Sequence, residues 1–134
     1  MAGELIVLIE DHDKNRKLAR DVLLHEGYRV LEAETGEDGV RLAQEQRPSL
    51  VLMDIHLPGI DGIEALRRLR ADPATRAIPV VAVTASAMTT DRATIMAAGC
   101  DGYQSKPISV RPFLAAVREA LDRGPRAHPP GGPT

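Results

Sequence analysis

Three acids, a hydroxyl and a lysine stand at the ends of apolar or strand-like runs in this 134-residue chain. Asp54 closes the run Leu50-Val51-Leu52-Met53, and Glu10-Asp11 follow Leu5-Ile6-Val7-Leu8-Ile9. Thr84 follows the run 80–83, and Lys106 follows Tyr103-Gln104-Ser105. An ionised carboxylate at the end of a buried run is costly unless a partner offsets its desolvation. If these ends converge, they form one pocket of three carboxylates, a hydroxyl and an ammonium. Crowded carboxylates repel, and one takes up a proton unless a cation sits among them. Mg2+ meets that need, because it prefers oxygen ligands, few protein carboxylates and several waters. Lys106 adds a mobile positive charge that can pair with Asp54 or with a phosphoryl oxygen. So compensated, Asp54 is a carboxylate nucleophile towards phosphorus. Catalysis of such a transfer is mostly positioning and charge stabilisation. The added group would bring charge and acceptor oxygens that the Thr84 hydroxyl can bond.

The elements that must position these residues alternate along the chain. Apolar runs followed by helical patterns are the mark of βα units around a parallel sheet. The runs 5–9, 50–53 and 80–83 lack alternation, so they read as central strands covered on both faces. The segments 28–33 and 102–105 carry charge or polarity and belong at the edges. Hence the predicted fold is α/β, a three-layer doubly wound five-stranded parallel sheet of order 2-1-3-4-5, flavodoxin-like. For the helices, Asp13 is expected to cap the first, with Leu18 and Val22 one turn apart and Gly27 as the stop. Thr35 precedes the second, and the pair Asp61 and Glu64 opens the third over Ile63, Leu66 and Leu69. The fourth, about 90–99, is poorly amphipathic, offering Ala93, Ile95 and Met96. Ser109 caps the fifth, whose stripe is Val110, Phe113, Leu114, Val117 and Leu121. In such sheets ligands bind beyond the carboxyl ends of the strands, where strand order reverses. Here that is between strands 1 and 3, which end in Glu10-Asp11 and Asp54.

Composition narrows the function classes. One Phe, two Tyr and no Trp leave an aliphatic core and no aromatic platform for stacking bases. A net charge of −2 supplies no electrostatic footprint for nucleic acid or anionic lipid. Arg67, Arg68 and Arg70 read as a solvated helix face. Cys100 stands alone, which excludes an internal disulfide and points to a reducing compartment. No apolar stretch approaches the ~20 residues of a membrane span, and the first strand begins too early for a signal peptide. A cytoplasmic location is expected. Residues 1–123 read as one domain, and the Pro/Gly-rich segment 124–134 as a disordered tail.

Taken together, Met53-Asp54-Ile55-His56-Leu57-Pro58-Gly59, Glu10-Asp11, Thr84-Ala85 and Lys106-Pro107 resemble the receiver domain of two-component response regulators, a CheY-like fold. The resemblance covers about residues 4–122. The wording of 78–85, 99–101 and 105–110 is particularly similar to a single-domain cell-division regulator of that family. The resemblance implies that Asp54 accepts a phosphoryl group from a histidine kinase or histidine phosphotransfer protein. It implies Mg2+ held by Asp11, Asp54 and the His56 backbone carbonyl, with Glu10 acting through water. It further implies that Thr84 and Lys106 hold the phosphoryl group, that Tyr103 swings inward as Thr84 moves, and that the Lys106-Pro107 bond is cis. A downstream protein would bind the face of helix 4, strand 5 and helix 5. His56 and Ser86 occupy positions that the resemblance implies tune autodephosphorylation; for His56 two readings stand, an idle loop residue or a group that makes phosphoryl lifetime depend on pH near neutrality.

Other readings compete. A haloacid-dehalogenase-like phosphatase also combines a nucleophilic Asp, a hydroxyl, a lysine and Mg2+. It would need an acid where His56 stands, and its nucleophile would end the first strand. A flavin binder shares the fold but needs aromatic residues and a hydroxyl-rich loop that are missing here. Within the family, the alternative is a receiver excised from a hybrid histidine kinase or multidomain regulator. The expected activity is that of a phosphoacceptor switch rather than an enzyme, at most catalysing its own phosphorylation and dephosphorylation and signalling by protein–protein contact. Cys100 is expected to be a small buried thiol, and His12, His25 and His128 surface residues. Tyr103 is equally open to a snorkelling surface role.

Overall fold

The computed structural model describes residues 3–84, 89–106 and 108–125. Ser86, the Lys106-Pro107 bond, His128 and most of the tail lie outside that description. Five strands, β1 (Leu5–Ile9), β2 (Arg29–Ala33), β3 (Leu50–Met53), β4 (Val80–Thr84) and β5 (Gly102–Ser105), form one sheet. All pairings are parallel, in the order β2-β1-β3-β4-β5. The three strands without alternation are the central ones: β3 and β4 are buried at every position, and β1 at all but Leu5. The mixed strands β2 and β5 take the edges, where a polar side chain keeps its water.

Five helices follow the strands in turn: α1 (Asp13–His25), α2 (Gly36–Gln46), α3 (Gly62–Ala71), α4 (Thr89–Ala97) and α5 (Val110–Arg123). Because strand side chains alternate between faces, each strand feeds two cores. Val7, Ile9, Val51, Met53, Val80 and Ala82 pack with α2, α3 and Ile95 of α4. Ile6, Leu8, Leu50, Leu52, Val81 and Val83 pack with Leu23 of α1 and Phe113 and Val117 of α5. Helices thus cover both faces, giving the three layers expected.

Helix ends follow the sequence in part. Thr35 Oγ1 accepts from the Asp38 amide at 3.1 Å and Asp61 Oδ1 from the Glu64 amide at 2.9 Å, so α2 and α3 begin as expected. Gly27 stops α1 in the left-handed region at φ 96°. Asp13 corrects the first expectation. The cap position is His12, with no side-chain bond, and Asp13 is the first helical residue, paired with Arg16. Ser109 is the cap residue of α5, but its side chain makes no capping bond. The stripe of α1 is also shifted: Ala19 and Leu23 are buried, whereas Leu18 is exposed. On α5, Val110 is exposed, and on α4 Ile95 is buried while Ala93 and Met96 are exposed.

Arg70 departs furthest from its reading as a solvated charge. Its guanidinium donates to the carbonyls of Gly99, Arg76 and Ile78 at 2.7 to 3.0 Å, and to Asp101 Oδ2 at 2.9 Å. Asp101 Oδ2 also accepts from the Val80 amide at 2.8 Å. Arg70 therefore ties the end of α3 to the starts of β4 and β5. Arg67 and Arg68 do face solvent.

Candidate functional site

Register brings the chemistry together. Ile9 of β1 sits beside Met53 of β3, Met53 beside Ala82 of β4, and Thr84 beside Ser105 of β5. Glu10, Asp54 and Lys106, which follow β1, β3 and β5, and Thr84, the last residue of β4, therefore stand on one rim of the sheet. Two main-chain bonds extend the ladder past the strands: the Asp54 amide donates to Ile9 O at 3.0 Å, and the Lys106 amide to Thr84 O at 2.9 Å. The Glu10 amide is likewise tied to Ala33 O at 3.0 Å. The site residues are thus fixed by backbone before any side chain makes a contact.

Their side chains then meet. Lys106 Nζ donates to Asp54 Oδ2 at 2.9 Å and also to Glu10 Oε1. Asp54 Oδ1 accepts from the His56 amide at 3.0 Å, and Glu10 Oε2 from the His12 amide at 3.1 Å. Asp54, Glu10 and Thr84 are buried. Asp11 lies at the edge of the cluster, and its Oδ1 is buried with no hydrogen-bond partner. Ligand atoms of Glu10, Asp11 and the exposed His12 all lie within 4.8 Å of one another. Tyr103 is half-buried on β5 and packs on the core facing α2 and α3. His56 is exposed on the loop after β3.

The charges are unbalanced. Burial pushes the Glu10 carboxyl above the usual carboxylate range, against the pull of the Lys106 hydrogen bond. Burial alone would lower Lys106, but its hydrogen bonds to Glu10 and Asp54 outweigh that and hold it above the ordinary lysine value. Lys106 is therefore a firm cation. It bonds both Glu10 and Asp54, with Asp11 next in sequence, so a single lysine is shared by two buried carboxylates beside a third acid.

Glycine sets how tightly the loop after β3 folds. Gly62 opens α3, and its amide donates to Ile55 O at 2.8 Å. A Cβ there would lie 2.6 Å from Ile55 Cα and 2.7 Å from Asp54 O. The backbone of Asp54 thus rests directly on the helix start.

Residues 6–118 match the response regulator receiver domain family. The chain belongs to that family. Among curated receivers it is 42% identical over 116 residues to the polar-differentiation response regulator DivK of Brucella anthropi, covering 87% of this chain and 94% of the relative. The DivK of Brucella ovis is 41% identical over the same length. Among solved receivers, that of the sensor histidine kinase PA1611 from Pseudomonas aeruginosa PAO1 superposes with a TM-score of 0.84 at 34% identity. It covers 90% of this chain and 98% of its own, and it carries a magnesium ion coordinated in its active site cleft. A CheY-like receiver domain protein from Methanospirillum hungatei JF-1 gives 0.81 at 28% identity, over 90% of this chain and 95% of its own.

Reading the sequence as a receiver leaves two features of the site unforeseen. Lys106 bridges Glu10 as well as Asp54, and the main chain at His12 and His56 caps the two acids. The first depends on residues 96 apart in sequence, which no local pattern reports. The second had a signal at Asp54 alone, where an Asp accepting from the amide two residues on makes an Asx turn; Glu10 makes the same spacing with a longer side chain.

Proposed function

We propose that this protein is a DivK-like phosphoacceptor switch that takes a phosphoryl group on Asp54 from the phosphohistidine of a histidine kinase or histidine phosphotransfer protein. The carrying observation is the buried Asp54 carboxylate, held at 2.9 Å by Lys106 beside two further acids. In the transfer an Asp54 carboxylate oxygen forms the new P–O bond as the P–N bond to the donor imidazole breaks, and the electron pair of that bond stays on the imidazole nitrogen. Lys106, bonded to Asp54, screens the approaching phosphoryl oxygens. The His56 amide fixes the rotation of the carboxylate. Thr84, at the end of β4, supplies a hydroxyl for the transferred group.

The acid cluster suits Mg2+. Asp11 Oδ1 is buried with no hydrogen-bond partner among the described residues, and Lys106 is shared by Glu10 and Asp54 beside it, so an oxygen-seeking divalent cation answers both deficits. Asp11, Asp54 and the His56 carbonyl would hold it, with Glu10 acting through water. Its chemistry is to neutralise charge between nucleophile and phosphoryl oxygens.

Output passes through contact with a downstream protein at α4, β5 and α5. Tyr103 follows Thr84 inward, and His56 and Ser86 set the lifetime of the phosphorylated form. Residues 1–123 form the working unit, and 124–134 is a tail that takes no part in the chemistry. The proposed role is cytoplasmic; no described helix is long and apolar enough to cross a membrane. The protein catalyses nothing beyond its own phosphorylation and dephosphorylation. The test is intact mass after acetyl phosphate with Mg2+: the wild type gains one phosphoryl group, and Asp54→Asn gains none. Equal labelling of both would end the proposal.

A further inference from the structure

Arg16 touches the acid pair from behind. It stands one turn into α1, its side chain largely covered by its partners. Nη1 donates to the main-chain carbonyl of Glu10 at 3.0 Å, Nε to Glu32 Oε1 at 3.1 Å and Nη2 to Asp13 Oδ1 at 2.7 Å. Its own amide bonds His12 O at 2.9 Å, so the turn from β1 into α1 is held at both ends. Glu32, on β2, is gripped again by Arg20 at 3.2 Å. The guanidinium thus spans β1, the start of α1 and β2.

We infer that Arg16 is a positioning residue for the cation site: by clamping the Glu10 carbonyl it fixes the turn that presents Glu10 and Asp11. This rests on the Mg2+ reading above. The fork directs its charge outward, because Glu32 and Asp13 take the remaining donors. Lys106, on the opposite side, is the cation bonded to the Glu10 carboxylate. Arg16 therefore shapes the acid cluster while leaving it negative. A planar guanidinium suits this role, since its donors are set rigidly relative to one another.

The sign of one measurement separates positioning from simple charge. A guanidinium near an acid cluster repels a divalent cation, so on Coulomb's law alone Arg16→Gln tightens Mg2+ binding. If Arg16 positions the turn, the same change loosens it, and lost outer partners of metal ligands typically cost ~10–100-fold in affinity. The experiment is calorimetric titration of the full chain with Mg2+ alone, for wild type, Arg16→Gln and Arg16→Lys. Arg16→Gln is expected to bind about tenfold more weakly. Arg16→Lys keeps the charge on a single donor nitrogen but lacks the fork, and falls between.

A metal-free readout accompanies it: hydrogen exchange of the His12 amide, which donates to Glu10 Oε2, speeds up in Arg16→Gln. Unchanged or tighter binding by Arg16→Gln overturns the inference, as does unaltered exchange at His12. If Arg16→Gln fails to fold, Arg16→Lys decides on the same two readouts. A wild type that binds Mg2+ and accepts phosphoryl while Arg16→Gln matches it refutes only the role of Arg16. A wild type that does neither refutes the function proposed above as well.

Discussion

Replacing Gly62 by alanine tests how closely Asp54, the proposed phosphoacceptor, depends on the helix that follows it. The new methyl would meet Ile55 Cα at 2.6 Å and Asp54 O at 2.7 Å, both backbone atoms that no rotamer change can move aside. Ile55 Cδ1, at 3.0 Å, can swing away, but the main chain cannot. To reach ordinary contact the segment carrying Asp54 must retreat by roughly 0.8 Å. Overpacking of this kind costs about 1–3 kcal/mol. Alanine returns at most ~1 kcal/mol of helix propensity, and less at a first-turn position. The expected net loss is about 1–2 kcal/mol, or roughly 3–10 °C in Tm for a domain of this size. Function should suffer more than stability, because a misplacement near 1 Å can cost ~100-fold in rate. Urea denaturation gives the first quantity, and intact mass against time with acetyl phosphate the second. Gly102→Ala is the control: the atoms nearest its methyl would belong to the Val81 side chain, the closest at 3.3 Å, with no backbone atom as near as at Gly62. If Gly62→Ala matches Gly102→Ala in both stability and phosphorylation rate, the contact does not position Asp54.

Lys106→Ala leaves Asp54 and Glu10 buried without their shared cation, so metal-free stability should fall by about 3–5 kcal/mol. Added Mg2+ should restore part of it, and urea midpoints indifferent to the metal would contradict this. Arg70→Met strips donors from three carbonyls and from Asp101, with an expected loss of about 2–4 kcal/mol by chemical denaturation. A loss under ~0.5 kcal/mol would return Arg70 to the solvated face first read from sequence. Glu4 supplies the pH dependence: its hydrogen bond from Arg118 holds the carboxyl below the ordinary 4.5. A depressed acid stabilises the fold above its unfolded pKa, and that contribution fades as pH falls through the folded value. Glu4→Gln should therefore be less stable than wild type at neutral pH, by at most about 1 kcal/mol. The two should converge in acid below the carboxylate range, and a gap that persists there would exclude Glu4 as its source.

The sequence by itself determined the sheet and named the polar residues that the strand ends bring together. Strands buried on both faces cannot alternate, so β1, β3 and β4 announce themselves as central, and charge in β2 and β5 sends those strands outward. Parallel pairing then forces Asp54 and Glu10 onto the same rim, because the residue after each central strand has nowhere else to emerge. Caps such as Thr35 and Asp61 were legible for the same reason: their partners lie three residues away. Tertiary structure alone decided how the long cationic side chains were used. Arg16, Arg70 and Lys106 each have the reach to face water or to turn inward, and nothing local distinguishes the choices. Arg70 turned inward because carbonyls left by the turns around Arg76, Ile78 and Gly99 needed a donor. Lys106 found Glu10 as well as Asp54 because the order of β1, β3 and β4 put both acids within its reach. Short-range hydrogen bonds are written in spacing, whereas the satisfaction of buried charge waits on which strands become neighbours.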